Sequence, residues 1–290
     1  MNLEKEQFGK KRVLVIGVNY HSDKETRVLI NEILEQQCAC YIDILIVDNS
    51  RFLPESLSRI GRPGKRVLVY KPDRNLGYLG GANWALNQYL QTSEFPEWVI
   101  ISNTDIYVPD RHFFHNLVLN YEADGAGIIA PDVFSPKLGH QNPFMEYRPS
   151  CFRMHFYKWV FKSYISTLTY EFLATIKSLI LSMFRRLKRK NTISQTRNIY
   201  APHGSFIILS KAYFQRGGLL KYGAFLFADE VFVAETAMRL NLKAVYDPHL
   251  KVIHYGHGTV GLSNVRKIWK YMAEASAYCA DTLFTKGVAK

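Results

Sequence analysis

A chain of 290 residues, 48% hydrophobic and 21% charged, is long enough to bury a large α/β core and too apolar to be intrinsically disordered. Its formal net charge of +12 asks for an anionic partner: nucleic acid, a phosphate-bearing substrate or an anionic membrane face. Four cysteines, Cys38, Cys40, Cys151 and Cys279, lack the CxxC spacing of a metal ribbon, and reduced thiols in a cytoplasmic protein account for them.

The opening "MNLEKEQFGKKRVLVIGVNY" puts acids before its basic residues and holds no long apolar core, so it does not read as a signal peptide. "RVLVIGVNY" (12–20) is a short apolar run with a polar end, the pattern of a buried parallel strand. A helix is expected from about Thr26 to Gln37, with Val28, Leu29, Ile33 and Leu34 on one face. "DILIVDNS" (43–50) is a second buried strand ending in Asp48, Asn49 and Ser50, and "KRVLVYK" (65–71) is a third. "DRNLGYLGGANWALNQYL" (73–90) reads as a glycine-rich turn entering a helix. "EWVIISNTDIYV" (97–108) is a fourth strand, broken at Asn103-Thr104-Asp105. This alternation predicts an α/β fold with an open, mostly parallel sheet and helices on both faces. Ligands bind such sheets at the carboxyl ends of the strands, where these polar residues fall.

"AGIIAPDVF" (126–134) is a further strand, followed by a loop with Pro136, Pro143 and Pro149. From Phe152 to Phe184 an apolar stripe recurs at helical spacing: Tyr157, Phe161, Tyr164, Leu168, Phe172, Ile176, Leu179 and Met183. Lys158, Lys162, Glu171 and Lys177 interrupt it and "RRLKRK" (185–190) closes it, which argues against a transmembrane span. Two readings stand: a basic amphipathic segment lying on an anionic membrane, or helices packed on the protein's own core. "GSFIILSKAYFQRGG" (204–218) returns to strand and helix, "KAVYDPHLKVIHYGHGT" (243–259) is a strand, and Asn264–Phe284 is an amphipathic helix. The simplest division is a single domain with halves 10–135 and 198–262, a basic helical insertion at 150–192 and a C-terminal helix at 263–285.

Among candidate functional residues, Asp48 suits a ribose or nucleobase and equally a turn cap. A dinucleotide fold is disfavoured, because "GVNYHSD" follows the first strand in place of GxGxxG. Gly77, Gly80 and Gly81 either bring backbone close to a ligand or let a helix pack tightly on the sheet. Asp105, after Asn103-Thr104, is a hard oxygen ligand for Mg²⁺ or Mn²⁺ that keeps phosphate oxygens as partners, or the start of an Asx turn. His254, with His257 nearby, either completes a metal site or is structural. In "FLFADEVFVAE" (225–235) Asp229 and Glu230 stand side by side in an apolar run. They are either the exposed first turn of a helix or a functional pair whose burial costs free energy.

In this order the pieces resemble the family 2 glycosyltransferases, particularly their bacterial rhamnosyltransferase-like branch, over nearly the whole chain. "IVDNS" is similar to that family's strand ending in Asp-Asn, and "NLGYLGGAN" to its Asn-Leu-Gly-x-x-Gly-Gly-x-Asn turn. "SNTDIYVPD" looks like its metal-binding strand end, and "PHGSFIILSKAYFQRGG" like its Gly-x-x-hydrophobic strand and helix. "FLFADEVFVAETAMRLNLKAVYDPHLKVIH" resembles its acidic pair, helix and histidine-ended strand. The resemblance implies a GT-A fold, a Rossmann-like sheet, and inverting transfer of a sugar from a nucleotide-diphosphate donor. Residues 10–135 would form the nucleotide-sugar-binding half and 198–262 the acceptor and catalytic half. Carried over by position, Asp48 and Asn49 would contact the nucleoside, and Asn75 and Gly77 would line the donor pocket. Asp105 would hold Mn²⁺ or Mg²⁺ with Asn103 beside it and His254 as a further ligand. Glu230 would be the general base and Asp229 its positioning partner, both kept ionised by the helix start. The chain departs from the family in the order of that pair, commonly Glu then Asp, which leaves the base open between the two. It also has Asn103 where the metal motif often begins with Asp, and Phe232 where many relatives carry an acid.

The resemblance further implies a role in bacterial surface polysaccharide synthesis (O-antigen, capsule or exopolysaccharide). The acceptor would be a glycan or polyprenyl-diphosphate-linked glycan, met at the inner face of the plasma membrane by a cytoplasmic, peripheral enzyme. No nucleic acid enters that reading. The rival is a non-catalytic basic protein of the same fold that binds anionic membrane or nucleic acid, marked by a steep salt dependence in the latter case.

Overall fold

A computed structural model describes residues 11–58, 60, 66–121, 125–170, 172, 173, 175, 195–256 and 265–285. Glu171, Ile176, Lys177, Leu179, Met183, the basic run 185–190 and His257 lie outside the described residues. The chain divides into two compact units, one drawn from Met1–Arg148, Thr196–Tyr222 and Asp229–Thr259, the other from Pro149–Gln195, Gly223–Ala228 and Val260–Lys290. The insertion and the C-terminal helix, read from sequence as appendages of a single domain, thus fall together in the second unit.

The first unit is built on one sheet whose described strands are β1 Val13–Asn19, β2 Ile42–Asp48, β3 Val67–Tyr70, β4 Trp98–Asn103, β5 Ile106–Tyr107, β6 Ala126–Ser135, β7 Gly139–His140, β8 Arg197–Ile199, β9 Phe206–Ser210 and β10 Lys243–His254. The main helices are α1 Asp23–Leu34, α2 Tyr78–Tyr89, α3 Phe113–Asn120, α4 Cys151–Phe161, α5 Lys211–Gln215, α6 Asp229–Arg239 and α7 Val265–Tyr278. The strand order is β3-β2-β1-β4-β9-β6-β10-β5, with β7 on β6 and β8 on β10. The first four strands in that order are parallel, as are β6 and β10. β9 runs antiparallel between β4 and β6.

Apolar residues on both sides of β1 explain its unbroken hydrophobic run. Val13 and Val15 join a core with Leu29, Ile30 and Ile33 of α1 and Phe113, Phe114, Leu117 and Val118 of α3. Leu14 and Ile16, equally buried, face the other way by strand alternation. There α2 packs on β1 and β2. The face of α1 differs from the expected one. Thr26, Leu29, Ile30 and Ile33 are buried, while Val28 and Leu34 are 52% and 44% exposed. The stripe begins with a polar residue because the Thr26 hydroxyl has partners, Asn19 Oδ1 at 3.0 Å and Ser22 O at 2.8 Å. Position 28 lies off that row.

In the second unit α4, a helical run over 164–170 and α7 surround buried Met154, Val160, Thr167, Ala275, Cys279 and Leu283. Ser150 caps α4 by accepting from Arg153 N at 3.2 Å. Trp269 donates to Phe161 O at 2.8 Å, and Lys158 Nζ reaches both carboxylate oxygens of Asp281 at 2.7 Å. Among the described residues Cys38, Cys151 and Cys279 form no disulfide.

One ion pair fixes α6 within the first unit. Glu235, 3% exposed, takes a forked bond from Arg148 at 2.6 and 2.9 Å and a third from Tyr200 at 2.8 Å. Arg148→Met leaves that carboxylate without its cation, and should lower unfolding stability by roughly 3–5 kcal/mol, read from urea midpoints. The double variant Arg148→Met/Glu235→Leu should recover most of the loss.

Candidate active site

The carboxyl ends of β1, β2 and β4 bring Asn19, Asp48 and Asn103 to one edge of the sheet, Asn103 on the opposite face from the other two. Asn19 pairs in register with Asp48, and Val18 with Asn103, so Asp48 and Asn103 flank β1, about 10 Å apart by strand spacing. Asp48 is fully buried. Its Oδ1 accepts from Asn19 Nδ2 at 2.8 Å and from Ser50 N at 3.0 Å, whereas its buried Oδ2 accepts no hydrogen bond among the described residues. A buried carboxylate oxygen in that state is suited to a ligand's hydroxyl or amine.

The glycine-rich turn is held by amides. Asn49 Nδ2 donates to Gly77 O at 2.9 Å, and Leu76 N donates to Asn49 Oδ1 at 3.1 Å. Gly77 N donates to Asn75 Oδ1 at 2.9 Å. Both asparagines therefore brace the loop backbone. Gly77 sits at φ 76°, where glycine is unstrained. A Cβ on Gly81 would lie 3.1 Å from Asn49 Nδ2, so this glycine serves the close packing of α2 on the strand end. The loop delivers Tyr78, whose hydroxyl is buried without a hydrogen-bond partner among the described residues. Burial, then the charges of Asp229, Asp105 and Glu230, hold the phenol well above its usual pKa. Tyr78 is thus a neutral donor facing three acids.

Asp105 and His254 meet where β5 ladders onto β10. Ile106 pairs with His254, and Tyr255 N donates to Asp105 O at 3.2 Å. His254 Nδ1 lies 2.7 Å from Gln141 Oε1, an acceptor, so Nδ1 is the donor there, and in the neutral ring Nε2 is the nitrogen with the lone pair. That Nε2 is 3.4 Å from Asp105 Oδ1. A neutral imidazole and a hard carboxylate oxygen facing each other fit Mn²⁺ or Mg²⁺, which take few protein ligands when phosphate oxygens supply the rest. Among the described residues they form no cluster of three or more His, Cys, Asp or Glu. Beside them His203 has its ring 5.7 Å from that of His254, and its Nδ1 lies 2.8 Å from Ser205 Oγ. Burial and the neighbouring His254 lower its pKa to about 4, which keeps it uncharged near neutrality.

Two consecutive residues in the left-handed region, Phe227 at φ 70° and Ala228 at φ 56°, lead into the acidic pair. Side chains there are strained, as residues that position functional groups often are. Asp229 is 6% exposed, so the pair is not a solvated helix turn. A Cβ on Gly204 would stand 3.3 Å from Glu230 Oε2, and glycine lets that carboxylate lie against the loop before β9. Burial raises the Glu230 pKa to about 6, only partly offset by its own backbone N–H. The helix start does not hold Glu230 at the ordinary value, because desolvation outweighs the dipole.

Glu230, Gly204, His203, His254 and Asp105 thus form a chain of neighbours, with Tyr78 close enough to feel three of the acids. Asp48 and Asn103 join through sheet register. Tyr78, His203 and Gln141 were not singled out by sequence reasoning. Tyr78 and His203 lie inside quoted motifs, whereas Gln141 lies in a loop with no pattern.

No protein-family model and no curated protein sequence matches the chain. Solved structures do. GalNAc-T7, solved with UDP, GalNAc and Mn²⁺, aligns at TM-score 0.60 and 14% identity over 92% of this chain and 47% of its own. TarS of S. aureus aligns at 0.52 and 12% identity over 84% of this chain and 36% of its own. The mannosyltransferase PcManGT from Pyrobaculum calidifontis, in complex with GDP-Man and Mn²⁺, aligns at 0.50 and 15% identity over 97% and 74%. The chain therefore spans less than half the length of the first two. The fold is GT-A.

Because Glu230 has a higher pKa folded than its ordinary 4.5, ionising it costs the fold stability. That cost is absent below pH 4.5 and grows as the pH rises to about 6. Glu230→Gln should match wild type at pH 4 and exceed it at pH 8. The gain is on the order of 1 kcal/mol after discounting the solvent-reached part of the side chain, or about 2–4 °C in Tm by calorimetry.

Proposed function

We propose that the protein is an inverting glycosyltransferase of the family 2 type that moves a hexosyl or rhamnosyl group from a nucleoside diphosphate. The acceptor in this reading is a glycan or polyprenyl-diphosphate-linked glycan of a bacterial surface polysaccharide. One observation carries it: a largely desolvated glutamate with a pKa near 6 sits in the same site as a metal-competent Asp105–His254 pair. Neighbours of this fold solved with UDP or GDP-Man and Mn²⁺ support the donor class and the metal.

The chemistry follows from these side chains. Glu230 accepts the acceptor hydroxyl's proton as the oxygen bonds to the anomeric carbon, and the electrons of the breaking C–O bond leave on the diphosphate. A pKa near 6 suits this, since a base works best when its pKa lies close to ambient pH. Asp229, buried beside it, orients the base. Asp105 and His254 would hold a divalent ion, which when bound offsets charge on the leaving diphosphate. Tyr78, kept protonated, donates a hydrogen bond to a phosphate oxygen, and the free Oδ2 of Asp48 accepts one from the nucleoside.

A panel of nucleotide-sugars, with and without Mn²⁺, read by thermal shift and by donor turnover, tests the reading. At least one donor should stabilise the protein in a Mn²⁺-dependent way, and Asp105→Ala should abolish that dependence. Failure of every donor to shift Tm overturns the proposal. With the matching donor, Glu230→Gln should lower kcat about 10²–10⁴-fold while leaving the donor-induced shift in place. The wild-type rate should fall about tenfold per pH unit below pH 6, a slope that Glu230→Gln lacks. Tyr78→Phe should weaken donor binding about tenfold or more, as expected for losing a hydrogen bond to a charged group.

A further inference from the structure

The second unit carries an apolar surface that its own packing leaves open. On α4, Phe152, Phe156 and Trp159 follow helical spacing and are 81%, 40% and 67% exposed. On the next helical run, Ile165, Leu168 and Phe172 repeat that spacing at 74%, 43% and 67% exposed. Phe156 links the two helices, its ring lying 6.2 Å from Trp159 and 6.4 Å from Tyr170. Beneath them the helices close on Met154, Val160 and Thr167, so the outward aromatics are surplus to that core.

The charge beside this surface is mostly positive, with Lys158 paired to Asp281. Residues 151–170 hold Arg153, Lys158 and Lys162 and no acid. Arg153 and Lys162 are exposed. Arg266, Lys267 and Lys270 of α7 are exposed too, and α7 is tied to α4 by the bond from Trp269 to Phe161 O. Helices with outward aromatics flanked by exposed cations have the makeup of an interfacial element. No helix among the described residues is long and apolar enough to cross a membrane.

We propose that α4 and the helical residues 164–170, 172 and 173 form a monolayer-binding face that seats the protein on an anionic bilayer, Phe152, Phe156, Trp159, Ile165 and Phe172 entering the headgroup–acyl boundary. Its evidence is separate from that for the transfer site, and its failure would leave that site untouched. A protein partner fits less well, because exposed Arg153, Lys162, Arg266, Lys267 and Lys270 beside long aromatic side chains match a surface of lipid phosphates.

Flotation of the full chain tests this, with vesicles of phosphatidylcholine alone or containing phosphatidylglycerol. Wild type should float with the anionic vesicles at low salt and be released as salt rises, while neutral vesicles hold about tenfold less. Trp159→Glu/Phe172→Glu should lose flotation with Tm unchanged, since both side chains are outside the core. As a check independent of that variant, brominated acyl chains should quench wild-type tryptophan fluorescence more than they quench Trp159→Phe. Wild type staying in the soluble fraction overturns the proposal, as does equal flotation on neutral vesicles or full flotation of the double variant. A dimer in light scattering that the double variant splits, without wild-type flotation, assigns the face to a second copy instead.

Discussion

Desolvation of the Glu230 carboxylate is the constraint around which the first unit is arranged. Water stabilises a carboxylate strongly, and a fold that withdraws it must hold the group by geometry alone. The glycine at 204 and the placement of Tyr78 both serve that end. An acid held in this way is neither an ordinary surface glutamate nor a core ion pair. Glu235 on the same helix shows the contrast, more deeply buried but matched by Arg148 and Tyr200. One helix thus carries one satisfied carboxylate and one poised carboxylate.

Much of this was legible in the residues, for a definite reason. β1, β2 and β4 are covered on both faces, so their apolar runs stand out and their polar ends mark the functional edge. Asp48, Asn103, Asp105 and His254 all fall at strand ends, where such reasoning looks first. The adjacency of Asp229 and Glu230 in an apolar stretch was itself a signal, because only a structural reason makes such burial tolerable.

What stayed hidden depends on partners distant in the chain. The glycines around Tyr78 drew attention to backbone, while the tyrosine's meaning comes from acids on other elements. Gln141 fixes the tautomer of His254 from a loop whose composition says nothing of its destination. β9 slots antiparallel between β4 and β6, a pairing that local periodicity does not encode. On α1 the apolar pattern alone suggested a face shared by Val28 and Leu34. The satisfied hydroxyl of Thr26 lets a polar residue join the buried row instead.

The fork between Arg148 and Glu235 has a mechanical corollary. Glu235 follows Glu230 by about a turn and a half of helix, which places them roughly 7.5 Å apart along the axis and on different sides of it. A rotation of α6 by one residue, about 100°, would carry the carboxylate of Glu235 out of the guanidinium plane and swing Glu230 away from Gly204 together. The far side of the helix therefore acts as an index pin, and the alignment of Glu230 depends on a salt link on another side of α6.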